Sequence, residues 1–341
     1  MNRCIVMLAF LLLTITVVSG QINELKRFRV VSYNCENFFD CVDDSLTNDA
    51  EYNYGGMRGW NYDKYQKKQQ NIAKVIVSIG EWEAPALVGL CEVESEKCMR
   101  DLTRYSGLKS LAYKYVHFES SDPRGVDVAL LYQPDMFEVI AAHPVRILFP
   151  NAPASRTRDI LYAKGKVPVG DTLHVFVCHF PSRLGGELES EDKRLYVASV
   201  LKGQVDSVFR SDTDANIIIM GDFNDYPDNE SLSGVLGALP PDSVAAGRLY
   251  NLMFPLQKQG KGTHKMDADW GILDQLMVSG NLLKPTATFK TGSDGAAIFD
   301  ADFLLTDDKK YLGKEPYRTY NGMKYTGGFS DHLPVYADFW Y

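Results

Sequence analysis

Short runs of β-branched and aromatic residues recur along most of the chain, and that recurrence limits the fold more than any other feature. They occupy residues 27–34 (RFRVVSYN), 86–91, 114–118, 126–132, 173–180, 216–220, 272–278, 298–305 and 333–340, and each reads as a strand. Helical periodicity is rarer. Ile72, Val75, Ile76 and Ile79 fall at i, i+3, i+4 and i+7. A second helix is expected over 191–209, with Val197, Val200, Leu201 and Val208 on one side. So many strands with so few helices favour two stacked sheets with helices outside over one doubly wound sheet. No composition break or repeat divides residues 21–341, so one domain is expected there. Residues 40–62, rich in Asp, Asn, Gly and Tyr, read as a long loop of the kind that is usually functional or disordered. Its Tyr52, Tyr54, Trp60 and Tyr62 either stack on substrate bases or pack the loop against the body.

The chain carries 36 Lys and Arg against 44 Asp and Glu, a net charge of −8. A field of that sign draws in neither nucleic acid nor an anionic membrane, so an anionic partner needs a local cationic site. Hydrophobic residues at 45% and charged residues at 23% exclude a disordered or fibrous chain. Arg3, an apolar run over 5–18 and the small residues before Gln21 make residues 1–20 an expected secretory signal peptide. The expected product is exported, periplasmic or extracellular, monomeric and without a stable membrane anchor. Cys35, Cys41, Cys91, Cys98 and Cys178 follow that segment, an odd number that closes no disulfide framework. A Cys41–Cys98 bridge is open to an oxidising compartment.

The polar residues that interrupt the apolar runs are more informative. Residues 216–221 (NIIIMG) run straight into Asp222-Phe223-Asn224, and in extended chain Asp222 and Asn224 project together. The run 86–91 likewise delivers Glu92, and Leu173, Val175, Val177 and His179 share one face of another strand. Asp274 and the segment Ser330-Asp331-His332 complete the set. Each has a plain reading: Asp222 as a turn former, His179 as a structural histidine, Asp274 as a partner of Lys265. Together they imply clustering, and two carboxylates about 8 Å apart repel by roughly 2 kcal/mol at an effective dielectric near 20. Glu92, Asp222 and Asp331 gathered in one place therefore want a cation, and oxygen ligands suit a hard one such as Mg²⁺.

In order along the chain, the motifs SYNCENF, CEVE, RGVDVALLY, VCHFPSR, GDFND, ILDQLMVS and SDHLPV resemble the endonuclease/exonuclease/phosphatase superfamily, and within it a secreted bacterial nuclease-like branch. The resemblance covers about residues 27–341. It implies a four-layered α/β sandwich, two mixed β-sheets packed face to face with helices outside. It implies a divalent-metal-dependent phosphodiesterase, most simply a nuclease, with a phosphatase or a phospholipid or small-molecule phosphodiesterase as the alternative. By the same resemblance Asn34, Glu92 and Asp331 would hold the metal, Mg²⁺ with Mn²⁺ or Ca²⁺ as substitutes. His332 would act as base or phosphate-polarising group, oriented by Asp274. Asp222 would align the attacking water or a second metal, while Asn224 and His179 would contact the phosphate.

Two further expectations come from the residues around these motifs. Asp127 sits inside an apolar strand and needs a partner, either His179 or, as the plain reading, an arginine in a buried structural contact. Arg156, Arg158 and Arg183 either form the local cationic strip that the net charge lacks, because the guanidinium fork suits phosphate, or serve singly in surface salt bridges.

Overall fold

The computed structural model describes residues 25–183 and 185–341, so the expected signal segment lies outside the described residues. Strands β1 (Arg27–Phe38), β2 (Leu87–Val93), β3 (Lys114–His117) and β4 (Asp127–Tyr132) come first. They are followed by β5 (Glu138–Val145), β6 (Ile160–Lys166), β7 (Thr172–His179) and β8 (Asn216–Asp222). Then come β9 (Ala238–Leu239), β10 (Leu249–Asn251), β11 (His264–Met266), β12 (Asp269–Gly271), β13 (Asp274–Ser279) and β14 (Ala296–Ile298). Two hairpins, β15 (Leu305–Asp307) with β16 (Lys314–Pro316) and β17 (Tyr320–Asn321) with β18 (Lys324–Tyr325), precede the last strand, β19 (Val335–Trp340). The helices are α1 (Tyr62–Gly80), α2 (Glu96–Tyr105), α3 (Glu187–Ser211) and the short α4 (Phe254–Lys258).

Two mixed sheets carry the fold, one ordered β14-β19-β1-β2-β4-β3 and the other β5-β6-β7-β8-β13-β10-β9. Alternation along the strands sorts their side chains between layers. Phe28 and Val30 of β1 meet Val175 and Val177 of β7 and Ile218 and Met220 of β8 in the space between the sheets. On the outer face of the first sheet, Val31 and Tyr33 pack with Ile72, Val75 and Ile76 of α1 and Met99 and Leu102 of α2. On the outer face of the second, Phe176, Ile217 and Ile219 pack with Val197, Leu201 and Val205 of α3. The result is the expected four-layered α/β sandwich. The two sheets interlock closely: a Cβ added at Gly89 in β2 would lie 2.6 Å from the Met220 sulfur in β8.

The elements differ from the sequence expectation where burial is slight. The strand β5 buries only Val145 and contains Pro144, so no buried apolar row marks it. Helix α2 buries only Cys98, Met99, Leu102 and Thr103, too narrow a stripe to stand out. The expected strand at 298–305 is instead a 3-10 turn, Asp302–Leu304, between the short strands β14 and β15. Among the described residues no helix is long and apolar enough to cross a membrane.

Candidate active site

Four of the rows that fill the space between the sheets end in a polar residue at one edge of the sandwich. In β1 the row through Phe28 and Val30 ends at Asn34; in β7 the row through Val175 and Val177 ends at His179. In β8 Ile218 and Met220 lead to Asp222, and in β13 Val278 and Leu276 lead back to Asp274. Period-two geometry turns all four side chains into the seam. Parallel pairing of β7 with β8 sets His179 opposite Asp222, and antiparallel pairing of β8 with β13 sets Asp274 opposite Asp222. Gly221 permits the close approach of β7: its φ is +142°, and a Cβ there would lie 1.8 Å from the Cys178 carbonyl oxygen.

Asp222 is the hub of the group. Its Oδ2 accepts a hydrogen bond from Asn34 Nδ2 at 3.0 Å and lies 3.6 Å from His179 Nε2 and 3.8 Å from His332 Nε2. Its Oδ1 accepts from the Asn224 backbone N–H at 2.9 Å. Asn224 sits in a turn there, with φ +51°, so the chain is not extended past Asp222 as expected and the Asn224 side-chain amide donates to the Phe180 carbonyl. Burial pushes the Asp222 carboxyl up to about 7, with His332 opposing the rise and Asp274 adding to it. His332 arrives on the turn before β19, where Ser330 Oγ donates to the Asn34 carbonyl at 2.7 Å and accepts from His332 N at 3.1 Å. The His332 Nδ1 lies 2.7 Å from Asp274 Oδ2, so the plain pairing of Asp274 with Lys265 does not occur; Lys265 pairs with Asp308.

Two buried imidazoles face one carboxylate here and are driven in opposite directions. Burial alone would lower the His332 pKa, but the charges of Asp274 and Asp222 and the hydrogen bond to Asp274 hold it well above the ordinary imidazole range. Burial, reinforced by Arg158, Arg124 and His332, holds His179 well below that range. One ring is thereby kept cationic and the other neutral, the separation that acid–base chemistry at one centre needs.

The carboxylates expected to hold a metal lie along the same edge. The register of β1 against β2 places Cys91 beside Asn34, so Glu92 follows next to the site. Its Oε2 accepts from Asn37 N at 2.8 Å and lies 3.3 Å from Arg124 Nη2. Asp331 Oδ2 lies 3.4 Å from Arg318 Nη2, and His264, Asp331 and His332 bring donor atoms within 4.8 Å of one another. Lys68 is buried behind them, donating to Thr319 Oγ1 at 2.5 Å and to the Phe329 carbonyl at 2.6 Å. Burial lowers its pKa, while the charges of Glu36, Cys35, Asp331 and Glu92 act against that fall. Asn34, Glu36, Glu92 and Asp331 offer oxygen donors of the kind a hard divalent cation takes, while the donor atoms that close to within 4.8 Å of one another at this edge are those of His264, Asp331 and His332 and of Asp222, Asp274 and His332.

Sequence reasoning passed over several of these neighbours. Glu36 stands two residues after Asn34, and its buried carboxyl, accepting from Thr319 N at 2.6 Å, is pushed up to about 7 by burial and by Asp331. The spacing inside SYNCENF was the available sign. His264, whose ring centroid is 4.9 Å from that of His332, carries no such sign, because only the pairing of its loop with the last turn brings it there.

Other expected residues are placed differently. Arg156, Arg158 and Arg183 do not converge into a cationic strip. Exposed Arg156 binds the Pro153 and Ser155 carbonyls of its own loop. Buried Arg158 pairs with Asp122 at 3.0 Å and donates to the Phe180 carbonyl at 2.6 Å, the same carbonyl that takes Asn224 Nδ2 at 3.1 Å. Arg183 donates to the Asn224 carbonyl at 2.6 Å and lies 3.3 Å from Asp225. Two of the three therefore brace the backbone around His179 and Asn224, because buried carboxylates and carbonyls compete for their forks.

Asp127 does not pair with His179 either. Val128 and Leu130 take the side of β4 facing the other sheet, so Asp127 falls on the opposite side with Ala129 and Leu131. Its neighbours there are Ser120 N at 2.9 Å and His117 Nε2 at 3.5 Å. In the loop before α1, Tyr52 stacks on Phe39 and Trp60 donates to the Phe39 and Asp40 carbonyls, so these rings pack the loop against the body. The five described cysteines are free thiols, and the Cys41–Cys98 bridge does not form.

A profile described as Endonuclease/Exonuclease/phosphatase family matches residues 29–339. No match was found among curated proteins. Among solved structures, a mannosyl-6-phosphatase of Bacteroides thetaiotaomicron is similar at 16% identity and a TM-score of 0.57, covering 92% of this chain and 99% of that one. An endonuclease/exonuclease/phosphatase family protein from the same organism is 17% identical at a TM-score of 0.56, covering 93% and 99%. D. rerio TDP2, complexed with single strand DNA product, is 14% identical at a TM-score of 0.55, covering 92% and 98%. At such identities the likeness is one of fold.

Proposed function

The chain belongs to the endonuclease/exonuclease/phosphatase family of hydrolases, and from that premise we propose that it is an exported, Mg²⁺-dependent phosphodiesterase that cuts nucleic-acid phosphodiester bonds. One observation carries the reading: Asp222 sits between two oppositely biased imidazoles, with Asp274 behind one of them and Asn34 beside it. A bound phosphodiester resists attack because it is anionic, so its hydrolysis rests on positioning and charge stabilisation. His332, kept cationic, polarises a phosphoryl oxygen or protonates the leaving group. Asp222 aligns the attacking water, and Asn224 and neutral His179 contact the phosphate. Asn34, Glu92 and Asp331 would hold the metal, which supplies Lewis-acid polarisation of a phosphoryl oxygen when bound. The TDP2 neighbour, complexed with single strand DNA product, supports a nucleic-acid substrate.

A phosphomonoester is the second reading, favoured by Arg124 and Arg318. Each is partly exposed, at 44% and 37%, and each lies against a candidate metal carboxylate, where the two extra charges suit a dianion. The mannosyl-6-phosphatase neighbour agrees with it. Purified protein should be assayed with Mg²⁺ on plasmid DNA, RNA, bis(p-nitrophenyl) phosphate and p-nitrophenyl phosphate, each with and without chelator. Chelator-sensitive cleavage of nucleic acid is expected. Cleavage of the monoester alone would replace the first reading with the second, and activity indifferent to chelation would overturn both.

A further inference from the structure

We propose that His117, Glu119 and Asp127 form a second cation site, outside the catalytic seam, that takes a divalent transition-metal ion and staples the turn between β3 and β4. His117 ends β3, Asp127 opens β4, and Glu119 lies on the connection between them. Asp127 is 2% exposed and its Oδ1 already accepts the Ser120 N–H, which leaves Oδ2 directed at the imidazole. The His117 side chain is 3% exposed, and its Nε2 is buried without a hydrogen-bond partner. A buried ring nitrogen aimed at a buried carboxylate should be hydrogen-bonded, yet the gap to Asp127 Oδ2 is 3.5 Å.

That spacing is long for a charge-assisted hydrogen bond, which closes to about 2.7–2.9 Å. It matches two ligands of one ion, since bonds of about 2.0–2.2 Å at a tetrahedral angle set ligand atoms about 3.3–3.5 Å apart. One donor atom from each of the three side chains lies within 4.8 Å of the others, with Glu119 Oε1 approaching the ring from its Nδ1 side at 3.9 Å. Arg146, which reaches this turn, is committed to Asp159 and to the Glu119 carbonyl rather than to the side chains of the cluster. One imidazole with two carboxylates favours Zn²⁺, Mn²⁺ or Co²⁺ over Mg²⁺. The Glu119 side chain is 65% exposed, so the ion stays open to solvent and exchangeable.

Such a staple has a place in the architecture. The turn it closes carries Arg124, whose guanidinium touches Glu92 and Asn37 in the catalytic site. Asp127 itself pairs with Val93, the residue after Glu92. An ion bridging β3 to β4 fixes the arm that presents Arg124 without contacting substrate.

The test is metal binding, read apart from turnover. Chelator-stripped protein, held in excess Mg²⁺, is titrated with Co²⁺ and followed by visible absorption, bound metal and melting temperature. The wild type should take up one Co²⁺ more than His117→Ala, with an absorption band that the variant lacks. The exposed position of Glu119 makes Glu119→Gln safe for folding even if His117→Ala is not, and it should weaken that Co²⁺ at least about tenfold. Equal Co²⁺ affinity in Glu119→Gln and wild type would overturn the proposal, as would equal stoichiometry in folded His117→Ala.

Discussion

Replacing Asp274 with asparagine removes the charge that orients the His332 ring and holds its proton. A buried charge-assisted hydrogen bond of this kind contributes about 1.5–3 kcal/mol. Asp274→Asn should lower kcat at least about 10²-fold. It should also move the limb of the pH–rate profile that belongs to His332 toward lower pH, since Asp274 is the largest influence raising that pKa. A slower rate with an unmoved profile would leave Asp274 a merely structural part. Arg156 makes the opposite case. Bound to its own loop and exposed, it should be replaceable by alanine with kcat/KM changed within about twofold on any substrate of the panel. The residues of the seam were legible because each ends an apolar row, and a polar side chain at such a place has few plain uses. The arginines and Asp127 were not, because their partners Asp122, Asp225 and His117 are set by tertiary pairing that no local pattern encodes.

At the scale of the element, β7 joins the site to the stability of its sheet. His174 lies in that strand, its Nδ1 2.7 Å from the Tyr162 hydroxyl in β6. Burial, with Lys164 acting in the same sense, lowers its pKa from 6.5 to about 4. The unfolded chain therefore takes up this proton first. The neutral ring stabilises the fold fully above pH 6.5, and the contribution is lost as pH falls through about 4. Melting temperature should fall on acidification across that window, and His174→Phe should flatten its share of the slope. An unchanged slope would show that the ring titrates alike in both states. Strands with a continuous apolar row, such as β1, β7, β8 and β13, could be read from composition alone. Edge strand β5 and helix α2 could not, since each buries too little for burial to shape its sequence.

Across the whole molecule, the last strand is a central one. β19 lies between β14 and β1, pairing antiparallel with both, although it is the final stretch of the chain. Arg29 and Asp338 bind across that pairing at 2.6 Å. Deleting residues 335–341 should leave protein without cooperative thermal unfolding, whereas a surface strand could be lost with a smaller penalty. The layered architecture was foreseeable from the excess of strands over helices, but the order of strands within each sheet was not, because pairing partners lie up to hundreds of residues apart.

The side chains at the seam hang from two separate sheets, so the thickness of the packed layer between them sets the gap across which Asn34 meets Asp222. The nesting of Met220 against Gly89 is one gauge of that thickness. A single methyl group there would press on the Met220 and Val177 side chains, so the packed layer behind the catalytic cleft would have to rearrange to admit it. Evolution of rate in such a chain can therefore proceed through buried residues that never meet the substrate.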